Sequence, residues 1–445
     1  MKKGLLMTSA LVAAGMLTLG NDAQAQAQKP TNPVQLRLGG YIEQSVGEAL
    51  QRPKAQAIGA NPAVPFAAGS TGTTSTNTFD TQTESEIHII GDGRLDNGLV
   101  IRTVFEMEVS GSPGQLWDEA YVILRNGFGQ LILGAEDPVS ELMTAGYGNG
   151  LVANAGLNLT YDSQAWVPQP GTWTASPTIS AARAAFIEAP DNNDSTKIIY
   201  VSPRFFGFQG GVSYAPEYRN QLWDGNGTVG INTGGGAADT NKRLPAKDLL
   251  HDLWSFALNY DSIEIGSAKI GFAAGYTSAQ KPMMLNGYNK SSVKEWGAGA
   301  RVDFGGFRFI AGYKAIRNTE GTPVAGSTTT SAAAAGGVNT SLFSTLVAGT
   351  SDDGYGVNVG AMYSWGPNAV SWTARHGTER GALSVGGVSN TSHQTLNGQL
   401  VSYARTLAPG IKWTANWIYA SYEDQAQRDI DNHGNALVTT IRLDF

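Results

Sequence analysis

Two kinds of connection alternate along this chain. Tight ones fall at 95–98, 126–129, 203–207, 261–266, 304–306, 365–368 and 407–410, and nearly all carry Gly, Pro, Asn or Asp. Between them lie long stretches rich in Gly, Ser, Thr, Asn and Ala at 50–80, 111–116, 137–194, 217–249, 278–292, 318–351, 378–392 and 423–433. Eight long connections alternating strictly with seven short ones require sixteen strands. An even number brings both ends of the chain to the side of the short turns.

The segments between these connections carry a period of two. In the third, Leu99, Ile101, Thr103, Phe105, Met107 and Val109 face one way, while Arg102, Glu106 and Glu108 face the other with Val100 and Val104. In the tenth, Trp296, Ala298, Ala300, Val302 and Phe304 oppose Glu295, Arg301 and Asp303. In the fifteenth, Trp413, Ala415, Trp417 and Tyr419 oppose Lys412, Thr414 and Asn416. The last nine residues put Leu437, Thr439, Ile441, Leu443 and Phe445 on one face. Successive strand side chains point to opposite faces, so these patterns describe a wall with one greasy and one charged side. Inside a sandwich core each of those charges would need a partner to offset desolvation, whereas lining water they cost little.

Met1-Lys2-Lys3, an uncharged apolar stretch from Gly4 to Gly20, and the small-x-small sequences Ala23-Gln24-Ala25 and Ala25-Gln26-Ala27 predict a secretory signal peptide over residues 1–25. Beyond it no apolar run of about 18 residues occurs, so a membrane could be crossed only by a closed barrel, whose strands satisfy one another's backbone groups. The chain has no Cys, so no disulfide framework supports the fold. Its net charge of -7, one unit more negative without Lys2, Lys3 and Asp22, argues against a nucleic-acid partner.

Several segments together resemble the general porin family of Gram-negative bacteria, in particular its 16-stranded trimeric members. Trp117-Asp118-Glu119-Ala120-Tyr121-Val122 followed by Gly127-Phe128-Gly129-Gln130-Leu131-Ile132-Leu133-Gly134 is similar to the family's fourth and fifth strands. Asp194-Ser195-Thr196-Lys197-Ile198-Ile199-Tyr200-Val201-Ser202-Pro203 is similar to its sixth. The start at Val34-Gln35-Leu36-Arg37-Leu38-Gly39-Gly40-Tyr41 and the terminal Phe445 also fit. The resemblance implies an all-β fold for residues 26–445: a 16-stranded antiparallel transmembrane β-barrel with short periplasmic turns and long extracellular loops, placed in the outer membrane and assembled as a homotrimer. It implies passive diffusion of small hydrophilic solutes and ions, and outer-membrane lipid and the barrel-assembly machinery as partners, the latter reading Phe445.

The resemblance also assigns a role to the longest connection, 137–194. In porins the third long loop folds into the lumen, and its acidic residues face basic residues across the constriction. Asp137, Glu141 and Asp162 are the expected acidic side, and Arg37, Arg102, Arg308, Arg375 and Lys412, with Arg442, the expected basic wall. Acidic excess predicts a modest cation preference, and the basic wall weakens it.

Two other classes compete. An outer-membrane barrel enzyme of lipase or protease type would need strand-borne Ser and His, and only Ser85 with His88 qualifies. A secreted β-rich carbohydrate-binding protein would be soluble without detergent. The five histidines, at 88, 251, 376, 393 and 433, show no metal-ligand spacing, and no catalytic residue, cofactor or metal site is expected.

Overall fold

In the computed structural model, the described residues are 34–51, 78–109, 117–147, 155–157, 166–167, 195–217, 251–280, 292–317, 353–380, 384–385, 388–389, 393–424 and 432–445. The signal-peptide assignment therefore lies outside them. Sixteen strands form the wall: β1 (Gln35–Gln51), β2 (Phe79–Arg94), β3 (Val100–Glu108), β4 (Trp117–Asn126), β5 (Gly129–Ala135), β6 (Thr196–Val201), β7 (Phe208–Glu217), β8 (His251–Ile265), β9 (Ala268–Gln280), β10 (Ser292–Phe304), β11 (Phe307–Arg317), β12 (Gly354–Trp365), β13 (Asn368–Arg380), β14 (His393–Ala408), β15 (Ile411–Asp424) and β16 (Asn432–Asp444). A two-residue hairpin sits in the connection between β13 and β14. Each strand pairs antiparallel with its sequence neighbours, and β1 pairs with β16 to close the ring.

All seven tight connections join the strand pairs expected of them. One boundary moves: β8 continues past Asp261 to Ile265, because the β8–β9 register slips between Tyr260 and Ile263 rather than ending there. Gly266, Gly305, Gly366 and Gly410 occupy the left-handed region that tight turns require.

The seam between the chain ends is made by backbone bonds from Gly40 N–H to Phe445 O at 3.1 Å and from Phe445 N–H to Gly40 O at 3.0 Å. Alternation sorts the faces as the sequence predicts. Phe105, Trp296, Phe309, Trp372, Leu437, Ile441 and Leu443 stand exposed on the outside. Near the short turns the outer face carries an aromatic row, Phe307, Tyr363, Trp365, Tyr403 and Trp413, with successive centroids 4.4 to 6.5 Å apart. Toward the long loops Trp254 meets Tyr214 at 4.7 Å and Trp296 meets Tyr313 at 5.1 Å. Two aromatic belts bounding an apolar band are the outer surface of a barrel seated in a bilayer.

The lumen and its inward loop

After β5 the chain turns into the barrel. Pro138 leads into α1 (Val139–Thr144), every residue of which is buried, and no side chain of its own caps the helix. The wall does so instead. Ser213 Oγ on β7 accepts from Val139 N–H at 3.2 Å, and Ser255 Oγ on β8 accepts from Ser140 N–H at 3.1 Å. These are two of the donors that a helix start leaves unsatisfied. Ser140 Oγ lies 2.7 Å from Ser255 Oγ and 2.9 Å from Thr277 Oγ1 on β9, and Asn259 Nδ2 donates to Met143 O at 3.1 Å.

Beside these polar anchors, part of the inner face beneath α1 is apolar. Val139, Leu142 and Met143 pack on Val104, Tyr121, Ile123, Ile132, Ile199, Val201 and Ala257. Gly211 makes this possible, since a Cβ there would lie 2.4 Å from Val139 Cγ2 and 2.6 Å from Met143 Sδ.

Farther along, Arg301 on β10 donates to Gly146 O at 3.1 Å and lies 5.0 Å over the Tyr147 ring, while Asp261 at 3.2 Å and Asp303 at 3.0 Å balance its charge. Burial pushes the Tyr147 hydroxyl above the usual phenol range, so the ring stays neutral under the guanidinium. Ala155 N–H then donates to Ser371 Oγ on β13 at 2.8 Å, and Leu157 N–H to Asn416 Oδ1 on β15 at 3.2 Å. Leu157, Trp166 and Val167 join Leu400, Ile418 and Val438 of β14 to β16 in a second apolar cluster. The described parts of the loop thus follow the inner wall from β7 to β10 and again from β13 to β16.

Asp137 and Glu141 sit at the start of α1, each 1% exposed. The Asp137, Glu119 and Glu136 carboxylates lie within 4.8 Å of one another, and Lys197 Nζ donates to the Glu136 carbonyl. Asp162 lies outside the described residues. Arg37, Arg102, Arg308, Arg375, Lys412 and Arg442 all project to the lumen by alternation. Most have a carboxylate beside them. Arg37 and Arg102 share Asp92 at 2.5 and 2.6 Å, Arg308 meets Asp303 at 2.6 Å, and Arg442 meets Asp444 at 2.8 Å and Glu43 at 3.7 Å. Arg375 is buried in the wall.

The loop anchors Ser213, Ser255, Thr277, Arg301, Ser371 and Asn416 escape sequence reasoning. Inward Ser, Thr and Asn are common in any polar lumen, and only Arg301 stands out, as a cation on the polar face of the tenth strand. Ser85 and His88 fall on opposite faces of β2, which separates the one candidate nucleophile–base pair.

The Gram-negative porin family profile matches residues 8–425. The anion-selective porin from Comamonas acidovorans is similar in structure, with a TM-score of 0.52 at 13% identity, covering 93% of this chain and 100% of its own. Salmonella typhi OmpF, in complex with daunomycin, gives a TM-score of 0.51 at 12% identity, covering 92% and 97%. No curated protein matches the chain in sequence. With its sixteen-stranded closed wall, charged lumen face and inward loop, the chain belongs to the Gram-negative porin family, a channel of the outer membrane through which small hydrophilic solutes and ions diffuse passively.

Proposed function

We propose that the loop at 137–194 sets the size limit and the ion preference of this channel. The observation that carries the proposal is the anchoring of the loop backbone to wall side chains on β7, β8, β10, β13 and β15, which holds it inside the lumen. In a ring of sixteen, the strands under α1, β7 to β9, stand eight places from β15, β16 and β1. Those three strands carry Lys412, Arg442 and Arg37. On this reading Asp137 and Glu141, buried at the start of α1, and Asp162 of the same loop are the acidic side, acting across the lumen on the basic wall that Arg102, Arg308 and Arg375 extend. Because several of these arginines have carboxylate neighbours, the transverse field is weak, and the net charge, one unit more negative than -7 once residues 1–25 are removed, tips it toward cations.

The test is the reversal potential of the protein in a planar bilayer under a KCl gradient. Replacing Asp137, Glu141 and Asp162 by Asn or Gln should move it toward anions, and more at low salt than at high. An unchanged potential would place the constriction elsewhere.

The proposal extends to assembly. A strand tilted across the hydrocarbon needs about 9–11 residues, yet β5 has 7 and β6 has 6. Their outer faces carry Leu133, Ile198 and Tyr200. A short, apolar sector of wall suits contact with another protomer better than lipid alone, which supports a homotrimer; a monomeric mass in native detergent complexes would refute it. Removal of residues 1–25 by signal peptidase and recognition of Phe445 by the assembly machinery belong to the same proposal, as does the absence of catalytic activity.

A further inference from the structure

The lumen faces of β1, β2 and β3 bring together four side chains, of which only Glu86 and His88, two apart on β2, are neighbours in the sequence. Tyr41 Oη donates to Glu86 Oε1 at 2.9 Å. The other oxygen of Glu86 lies 3.0 Å from His88 Nε2, and Glu106 Oε2 lies 3.7 Å from the same nitrogen. Glu86, His88 and Glu106 are 2%, 4% and 0% exposed. The Tyr121 hydroxyl lies beside Glu106, yet neither Glu106 oxygen is in a well-formed hydrogen bond, an expensive condition for a fully buried carboxylate. The neighbouring guanidinium of Arg442 is stacked on the Tyr41 ring at 3.8 Å and committed to Asp444 and Glu43.

We propose that Glu86, His88 and Glu106 form a binding site for a first-row transition metal ion, with zinc(II) the best match. One ligand atom from each lies within 4.8 Å of the others, so a single ion reaches all three after small rotamer adjustments. Tetrahedral zinc with bonds of about 2.0–2.2 Å needs ligand atoms roughly 3.3–3.6 Å apart. The observed 3.0 and 3.7 Å bracket that range. Bound as metal ligands, two carboxylates and a neutral imidazole carry two negative charges, which a divalent ion cancels. An imidazole among only three ligands favours zinc over calcium, which takes 6–8 oxygens. Tyr41 holds Glu86 as an outer-shell donor holds a ligating carboxylate. Three ligands leave a fourth position for water, and the bound ion would add positive charge to the lumen wall.

The experiment uses the full chain, purified in detergent, stripped with a chelator and dialysed against micromolar zinc chloride with millimolar calcium present. One tightly held zinc per chain is expected, with affinity reduced at least tenfold in His88→Gln and in Glu106→Gln, and 10–100-fold in Tyr41→Phe. Cobalt(II) titrated into the wild-type protein should give visible d–d bands of a low-coordinate nitrogen–oxygen site. In bilayers, zinc should shift the wild-type reversal potential toward anions and leave that of His88→Gln unmoved. Equal zinc retention by the wild type and both ligand variants, or wild-type cobalt spectra of the hexaaquo ion, would overturn the proposal and leave His88 as an imidazole shared between two carboxylates. The cobalt measurement decides the matter even if the variants fail to fold.

Discussion

Arg301 shows how one side chain ties a loop to a wall. Its guanidinium donates to the Gly146 carbonyl, stacks on Tyr147 and is balanced by Asp261 and Asp303. A hydrogen bond from a charged donor contributes about 1.5–3 kcal/mol, and its loss would be felt where the loop leaves α1. Arg301→Ala should therefore raise open-channel current noise and lower the thermal midpoint in detergent, with Arg301→Lys intermediate, because an ammonium keeps the charge but not the planar fork. An Ala variant as quiet as the wild type would show that the loop is held by its other anchors alone. From the sequence, Arg301 was legible as an inward charge. Its role as a loop clamp was not, since the partner is a backbone carbonyl 155 residues away.

Among the elements, α1 and the wall beneath it explain the stretch where the sequence pattern is least clear. β5 and β6 read as nearly continuous apolar runs, Leu131-Ile132-Leu133 and Ile198-Ile199-Tyr200-Val201. One face of each meets the outside through Leu133, Ile198 and Tyr200, and the other meets α1 through Ile132, Ile199 and Val201. Strand positions and turns were legible because alternation and turn chemistry are local. The dryness of this inner sector was not, because it depends on a loop folding back onto its own barrel. Gly211 tests that contact. Gly211→Val places branched carbon against Val139 and Met143 and should push α1 toward the lumen axis, lowering single-channel conductance while barrel content in circular dichroism stays unchanged. Wild-type conductance would mean that the helix yields along the wall instead.

For the whole molecule, closure is the governing fact. β1 and β16 meet through a seam that includes the backbone pair of Gly40 with Phe445, so the terminal residue is structural as well as apolar. Deleting Phe445 removes two seam bonds and one exposed aromatic, and should reduce outer-membrane levels severalfold while export to the periplasm continues; fractionation with immunoblotting reads both quantities, and undiminished membrane levels would count against the assignment. The ring itself was legible from the even strand count and from the need to satisfy every edge in lipid. The same ring has a consequence for damage. Every strand is held on both flanks, and fifteen of the sixteen pairings join consecutive strands. A protease that cuts one long connection therefore creates two new chain ends without creating an unpaired edge. Both fragments stay bound through their neighbours, so a nicked barrel can remain whole in the membrane and come apart into two polypeptides only when it is denatured.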